Sequence, residues 1–426
     1  MDIQGAAADS ESGRIMGHLM RRDAIIQRHE AIALADNLMN IWRATKDRTT
    51  LVNLQRLLNK PEDWQPDQDA SISVQKEDFK RVDSVSDKSR MTSQPSIISL
   101  CCGAGLGELG VKKHFKTVLA VDCWHKAVCS FKANFPDTFV QSGDIANKNL
   151  ISRAKKNFGS IDGIVASPPC PGFARHDPAD DRSMLLFAVM DWVEAFHPMF
   201  VVIENVKALL HAPHLKLLNA KFHRSGYKIR PWLLDAADFG APQHRRRVFI
   251  VAVPIEAQFP SPPATTHGPG GLPYKTIKDA IGDLTESEAL RLGGDKMSSQ
   301  RSELMLAVPA GGNWEDLADE QREYVLGSIN GKNPTKRLCR RYAWDEVVET
   351  IQTAPQILTT TFPLPPHLNR PFTVIESLRL MGVRQSFQLF GNLADRYRMV
   401  GNGICPQVMD AVCRAVMESL NPSKRS

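Results

Sequence analysis

At 426 residues the chain is too long for one ordinary domain and predicts two or three. Its 42% hydrophobic and 23% charged content is that of a globular protein with a sizeable core, and it contains no run of about 18 apolar residues, which excludes a helical membrane span. The net charge of +6 is carried by residues 91–426, where 39 basic residues face 32 acidic ones; such a mild excess suits a polyanionic partner without demanding one.

Residues 1–17 are polar and lack the apolar centre of a signal peptide, so the chain is expected in the cytosol. Its eight cysteines (101, 102, 123, 129, 170, 339, 405 and 413) offer no Cys-x-x-Cys pair and no zinc-ligand spacing, and are expected to be reduced thiols. Residues 25–58 place Ile25, Ile32, Leu34, Leu38, Ile41, Leu51, Leu54 and Leu58 at helical spacing, predicting one or two amphipathic helices that serve as a packing appendage. Residues 61–94 are polar, with few apolar positions, and read as a linker or arm.

The character changes at Ser96. Apolar strand candidates span 96–102, 117–122, 161–166 and 200–203, with helical stretches at 126–134 and 183–196 between them. Strands alternating with helices predict an α/β fold with a mostly parallel sheet. Residues 254–370 are broken by Pro260-Ser-Pro-Pro, His267-Gly-Pro-Gly-Gly and Thr359-Thr-Thr-Phe-Pro, and predict a smaller, loop-rich domain. A strand at 248–253 precedes it; helices at 373–381 and 407–420 follow, the last expected to pack back on the α/β core.

The polar features fall just after strands, on the edge where such sheets bind ligands. Gly103-Ala104-Gly105-Leu106 follows the first strand, and Asp122, 19 residues after Gly103, closes the second. Glycines let backbone approach a ligand and a carboxylate accepts ribose hydroxyls, so a nucleotide-type cofactor is one reading and a plain tight turn the other. Pro168-Pro169-Cys170-Pro171-Gly172 follows another strand. Prolines stiffen that loop and present the cysteine as a nucleophile; the plainer fate is a buried thiol. Glu204-Asn205-Val206 and Gln243-His244-Arg245-Arg246-Arg247 supply an acid and two arginines on one side of an extended chain, where a solvated strand end and a basic turn are the plainer alternatives.

Together these motifs resemble the DNA (cytosine-5) methyltransferases of the bacterial modification type, over roughly residues 97–420 and in that family's linear order. The Ser99-Leu-Cys-Cys-Gly-Ala-Gly strand and turn, Pro168-Pro-Cys170, Glu204-Asn-Val, Gln243-x-Arg245-x-Arg247, the stretch from Arg370 to Gly382, and Gly401-Asn402-Gly403 carry the resemblance. It implies a Rossmann-like S-adenosylmethionine-dependent fold with a separate target-recognition domain, and the boundaries 1–94 (helical extension and linker), 95–253 (catalytic), 254–369 (recognition) and 370–426 (return to the catalytic domain).

The implied chemistry is specific. Cytosine C5 is a poor nucleophile until a thiolate adds at C6, the role of Cys170. Glu204 would protonate N3 and Arg245 would hold O2, with Arg247 supporting the Cys170 loop. The cofactor is S-adenosyl-L-methionine. The Gly103–Leu106 backbone would face its methionine part, Asp122 its ribose, Asp144 its adenine amino group and Asn402 its carboxylate end; Cys101, Ala104, Gly105, Cys123, Ile145, Pro169 and Gly403 complete the expected contacts. Residues 172–182 would close over double-stranded DNA, which the enzyme would bind as a monomer, without metal or membrane, flipping the base out of the stack.

Departures from the family are also visible: Ser99 and Cys101 for the usual Asp and Phe, Cys123 then Trp124 for an aromatic after the ribose carboxylate, Pro171 for Gln and Ala174 for Ser. They predict weaker cofactor affinity but an active enzyme, since none touches Cys170, Glu204 or Arg245. A tRNA cytosine methylase of the same fold is the nearest alternative, which the long 254–370 segment disfavours; a catalytically idle DNA-binding homologue is the other. Specificity is expected in 254–370, with Arg340, Arg341 and Thr359–Thr361 as candidate base contacts.

Overall fold

The computed structural model describes residues 94–169, 184–294, 306–328, 339–353 and 364–420. The expected helices of 25–58, the polar stretch up to residue 93, Cys170 with its loop to residue 182, and Thr359–Thr361 lie outside those residues.

A strand covered on both faces has no reason to alternate polar and apolar residues, and the Ile-Ile-Ser-Leu run of Ser96–Leu100 (β1) sits in the interior of a seven-stranded sheet. A short helix, Glu108–Val111 (α1), leads to Lys116–Asp122 (β2); His125–Asn134 (α2) leads to Phe139–Ser142 (β3), and Lys148–Phe158 (α3) to Gly163–Ala166 (β4). Leu185–Phe196 (α4) then precedes Phe200–Val206 (β5). These five strands pair in parallel.

Past β5 the direction changes. Pro213–Arg224 (α5) leads to Tyr227–Asp235 (β6), then Gln243–His244 (β7) and Arg246–Pro254 (β8). Strand β8 inserts between β5 and β6, antiparallel to both, giving the order β3-β2-β1-β4-β5-β8-β6. The remainder carries Ile277–Ile281 (α6), Glu286–Leu290 (α7), Asp319–Ser328 (α8), Val348–Glu349 (β9), Val374–Leu380 (α9), Leu393–Asn402 (α10) and Pro406–Leu420 (α11). Strand β9 pairs with β7 alone.

Three differences from the sequence reading have physical causes. Strand β3 is a half-exposed edge of four residues, Phe-Val-Gln-Ser, without an apolar run to mark it. Strand β6 contains Pro231, which reads as a breaker; it is tolerated because β6 is the opposite edge. Strand β5 continues three residues beyond Ile203, so Glu204 lies inside the strand, opposite Phe249, rather than past its end.

One face of the sheet packs on α3, α4 and α5 through Ile151, Trp192 and Phe222; the other packs on α2, α10 and α11 through Phe131, Tyr397 and Val412. Helix α11 crosses α1 so closely that a Cβ on Gly110 would stand 2.4 Å from the Pro406 carbonyl oxygen and 2.6 Å from the Asp410 nitrogen. Backbone cannot yield as a side chain does, so Gly110→Ala is expected to destabilise the protein by about 1–3 kcal/mol. A lower urea midpoint at unchanged m-value would register this. Helices α6 and α9 and strand β9 share a smaller core of Ile277, Ile281, Tyr342, Val348, Phe372 and Leu380.

Candidate active site

Between β1 and β4 the strand order reverses, and the loops after those two strands leave toward opposite faces. That arrangement opens a crevice at the strands' carboxyl ends. The turn after β1 is left-handed at Cys101 (φ 51°), Gly103 (φ 56°) and Gly105 (φ 89°). A Cβ on Gly103 would meet nothing within 4 Å, whereas one on Gly105 would strike the rings of Phe135 and Phe131 at 2.6 and 2.8 Å. Gly103 therefore offers bare backbone to the crevice, and Gly105 lets the turn pack on α2.

Asp122 fastens this turn. One carboxylate oxygen accepts the Gly103 N–H and the other the Trp124 N–H, both at 2.8 Å. Burial pushes its pKa up, and those two bonds oppose the rise. Asp144 Oδ1 accepts the Ala146 N–H at 2.9 Å, and the neighbouring Ile145 is buried, its carbonyl accepting Trp192 Nε1 at 2.8 Å. Asp122, Cys123 and Asp144 all lie close enough to act on Cys101, whose thiol is pushed well up by burial first and by those charges second. A thiol so placed stays protonated and unreactive.

Ala104 and Leu106 are buried, and a Cβ on Gly403 would stand 2.6 Å from Leu106 Cδ2, so the Gly401-Asn402-Gly403 turn rests directly on the first glycine turn. Asn402 itself is exposed. Bare backbone, two carboxylates and an apolar floor in one crevice suit a ligand built from an adenine, a ribose and an amino-acid tail. Sequence reading missed Arg398, whose guanidinium lies 4.6 Å from the Trp124 ring centroid. Its separation from Trp124 along the chain left no local signal.

The second constellation stands at the end of β5. Glu204 is buried, which pushes its pKa up, while Arg247 first and Arg245 second pull it back. Arg247 Nε lies 3.2 Å from Glu204 Oε1, because Arg247 on β8 pairs in register with Val206 of the antiparallel β5. Asn205 Nδ2 donates to the Pro168 carbonyl at 3.1 Å, so the strand bearing the acid also ties down the start of the loop that leads to Cys170. Pro169, next in the chain, is the last described residue before that cysteine.

The two arginines divide their work differently from the sequence reading. Arg245, expected to hold the base, is buried with both terminal nitrogens donating to backbone: Nη1 to Ile351 O at 3.3 Å and Nη2 to Gly401 O at 2.8 Å. Arg247, expected to brace the cysteine loop, is the one that meets Glu204. Arg340 and Arg341 also need correction as base-contact candidates. Arg341 is buried and donates to Val308 O, Pro365 O, Leu368 O and Asn369 Oδ1. Arg340 is held by Glu346 and by the Gly312 and Arg341 carbonyls. Both guanidinium groups are consumed by the loops around them.

Among the described residues no cluster of three or more His, Cys, Asp or Glu is arranged to hold a metal, and no helix is long and apolar enough to cross a membrane. The sheet order, the glycine turn and the crevice above it define a Rossmann-like methyltransferase architecture. Residues 96–418 match the C-5 cytosine-specific DNA methylases, and the chain belongs to that family.

Among its relatives, the Type II methyltransferase M.NgoFVII of Neisseria gonorrhoeae is 29% identical over 350 residues, spanning 78% of this chain and 89% of its own. The Type II methyltransferase M.Eco47II of Escherichia coli is 27% identical over 344 residues, spanning 76% and 79%. In structure, an E. coli prophage protein assigned as a DNA modification methyltransferase superposes with a TM-score of 0.60 at 21% identity, over 77% of this chain and 99% of its own. The chain is thus a DNA (cytosine-5)-methyltransferase, and its family and fold imply S-adenosylmethionine as cofactor and DNA as partner.

Proposed function

We propose that this enzyme methylates C5 of one cytosine within a short specific sequence of double-stranded DNA, as the modification half of a restriction–modification pair or as a solitary methylase. The buried Glu204–Arg247 pair carries the reading, because the Asn205–Pro168 bond holds it beside the loop that bears Cys170. Cys170 stands two residues after Pro168, a reach of about 7 Å at most. Its thiolate adds to C6 of a cytosine flipped out of the duplex, turning the ring into an enamine nucleophilic at C5.

Glu204, kept protonatable by burial, gives its proton to N3 as negative charge develops on the ring. Arg247 has Nη1 on the Arg246 carbonyl and its Nε on Glu204, which leaves Nη2 to hold the cytosine O2. Asp122 and Asp144 take the ribose and adenine of S-adenosylmethionine, the Gly103–Leu106 backbone its methionine part and Asn402 its carboxylate. When bound, that cofactor supplies the methyl group to C5. Loss of the C5 proton to solvent then expels the Cys170 sulfur as thiolate, and N3 returns its proton to Glu204.

Catalysis is assigned to residues 95–253 with 370–426, and target recognition to 254–369. The enzyme acts in the cytosol as a monomer on DNA.

Bisulfite sequencing of a plasmid that expresses the enzyme tests this directly. Protected cytosines are expected in one short motif and are expected to vanish with Cys170→Ala. Soluble wild-type protein that protects no cytosine would turn the reading toward RNA. DNA bearing 5-fluorocytosine should become covalently attached to the wild type alone; a wild type that binds such DNA without attachment is an idle homologue.

A further inference from the structure

Four contacts clamp residues 348–353 onto the segment 242–245. Strand β9 pairs with β7, matching Val348 to Gln243 and Glu349 to His244. Thr350 Oγ1 donates to His244 O at 3.0 Å, and the fully buried Gln243 accepts the Ile351 N–H through Oε1 at 3.2 Å while donating through Nε2 to Leu380 O at 3.2 Å. Arg245 closes the clamp at Ile351 O.

The other arm of Arg245 ends on Gly401 O. Gly401 is pressed against the same segment: a Cβ there would stand 2.5 Å from the Gln352 carbonyl carbon and 2.6 Å from Thr353 Cα. Asn402 and Gly403 follow at once, with Gly403 on Leu106 of the glycine turn. One buried guanidinium therefore joins three pieces remote in sequence, and backbone contact permits no slack between two of them. Residues 348–353 lie within the segment 254–369 assigned to recognition, and 401–403 belong to the cofactor crevice.

We propose that Arg245 is a positioning residue that couples the cofactor site to the engagement of target DNA, by holding segment 348–353 and the Gly401–Gly403 turn as one rigid unit. The proposal rests on the assignment of those two sites above. Its physical basis is linkage: if DNA orders segment 348–353, the turn bonded to it is ordered too, and each ligand tightens the other by the same factor. A fork is needed because its two arms donate in different directions; one ammonium cannot replace it.

The experiment follows the mapping of the methylated motif, so that a failure to methylate is recognised before coupling is measured. The dissociation constant of S-adenosylhomocysteine is measured by calorimetry for the free enzyme, then with a duplex carrying the mapped motif, then with a scrambled duplex. For the wild type the motif duplex is expected to tighten it on the order of tenfold, and the scrambled duplex much less. In Arg245→Lys that ratio is expected to fall close to one. Thr350→Val, a milder change at an exposed position on the same clamp, is expected to give an intermediate ratio. A merely structural Arg245 would weaken both constants alike and keep the wild-type ratio, which would overturn the proposal. So would a wild-type ratio of one.

Discussion

Replacing Glu204 by Gln is expected to lower kcat by roughly 100- to 10,000-fold, the range of a positioned general acid, with DNA affinity nearly unchanged. Gln keeps the size and a hydrogen bond to Arg247 but has no proton to surrender to N3. The argument turns on the balance at this carboxyl. Burial alone would hold it protonated; Arg247 at 3.2 Å and the more distant Arg245 pull the other way. A group so poised can give up a proton and regain it. The protonated carboxyl is the reactive form, so kcat falls as pH rises through its pKa in the complex, and the variant should lack that alkaline limb. Single-turnover methyl transfer across pH measures both. A Gln variant that retained kcat and the limb would remove Glu204 from the chemistry.

Arg247 and Arg245 show where sequence reading stops. Alternation told that both point to one side of an extended chain, and both are buried or half-buried while Arg246 is exposed. It could not tell that the chain between them passes from β7, paired with β9, to β8, paired with β5. Partner choice follows from that change of sheet: Arg245 is left beside Ile351 and Gly401, and Arg247 beside Glu204. The same limit hid Arg398 and the roles of Arg340 and Arg341, because cross-chain contacts leave no periodicity. The interior strands were readable because strands covered on both faces are continuous apolar runs. The edges β3 and β6 were not, since a strand with one open side needs neither an apolar run nor freedom from proline. The glycine turn and Asp122 were readable at a distance because their residue types answer backbone needs, a positive φ and two N–H groups to accept.

Ser99, where the family usually places Asp, has its explanation in Glu108. That carboxyl is buried in α1, accepts a hydrogen bond from Thr117 Oγ1 and is also bonded by Ser99, and burial pushes its pKa up to about 7. An aspartate at 99 would put two carboxyl groups in one dry pocket, where one would have to stay protonated. Serine donates instead. Between pH 4.5 and 7 the folded protein keeps the Glu108 proton while the unfolded chain releases it, so stability falls as pH rises through this window and levels off above it. The loss amounts to about 3 kcal/mol, from 1.36 kcal/mol per pKa unit. Glu108→Gln keeps the shape and can still accept from Thr117, yet has no proton to lose. Its urea-unfolding free energy, compared with the wild type at each pH, should gain on the wild type steadily from pH 4.5 to 7 and run parallel beyond. Other titrating groups contribute equally to both proteins and cancel in the difference. A constant gap between the two proteins over that range would mean that Glu108 is ionised in the folded state, with water or a cation reaching it, and that Ser99 must be explained by the cofactor crevice instead.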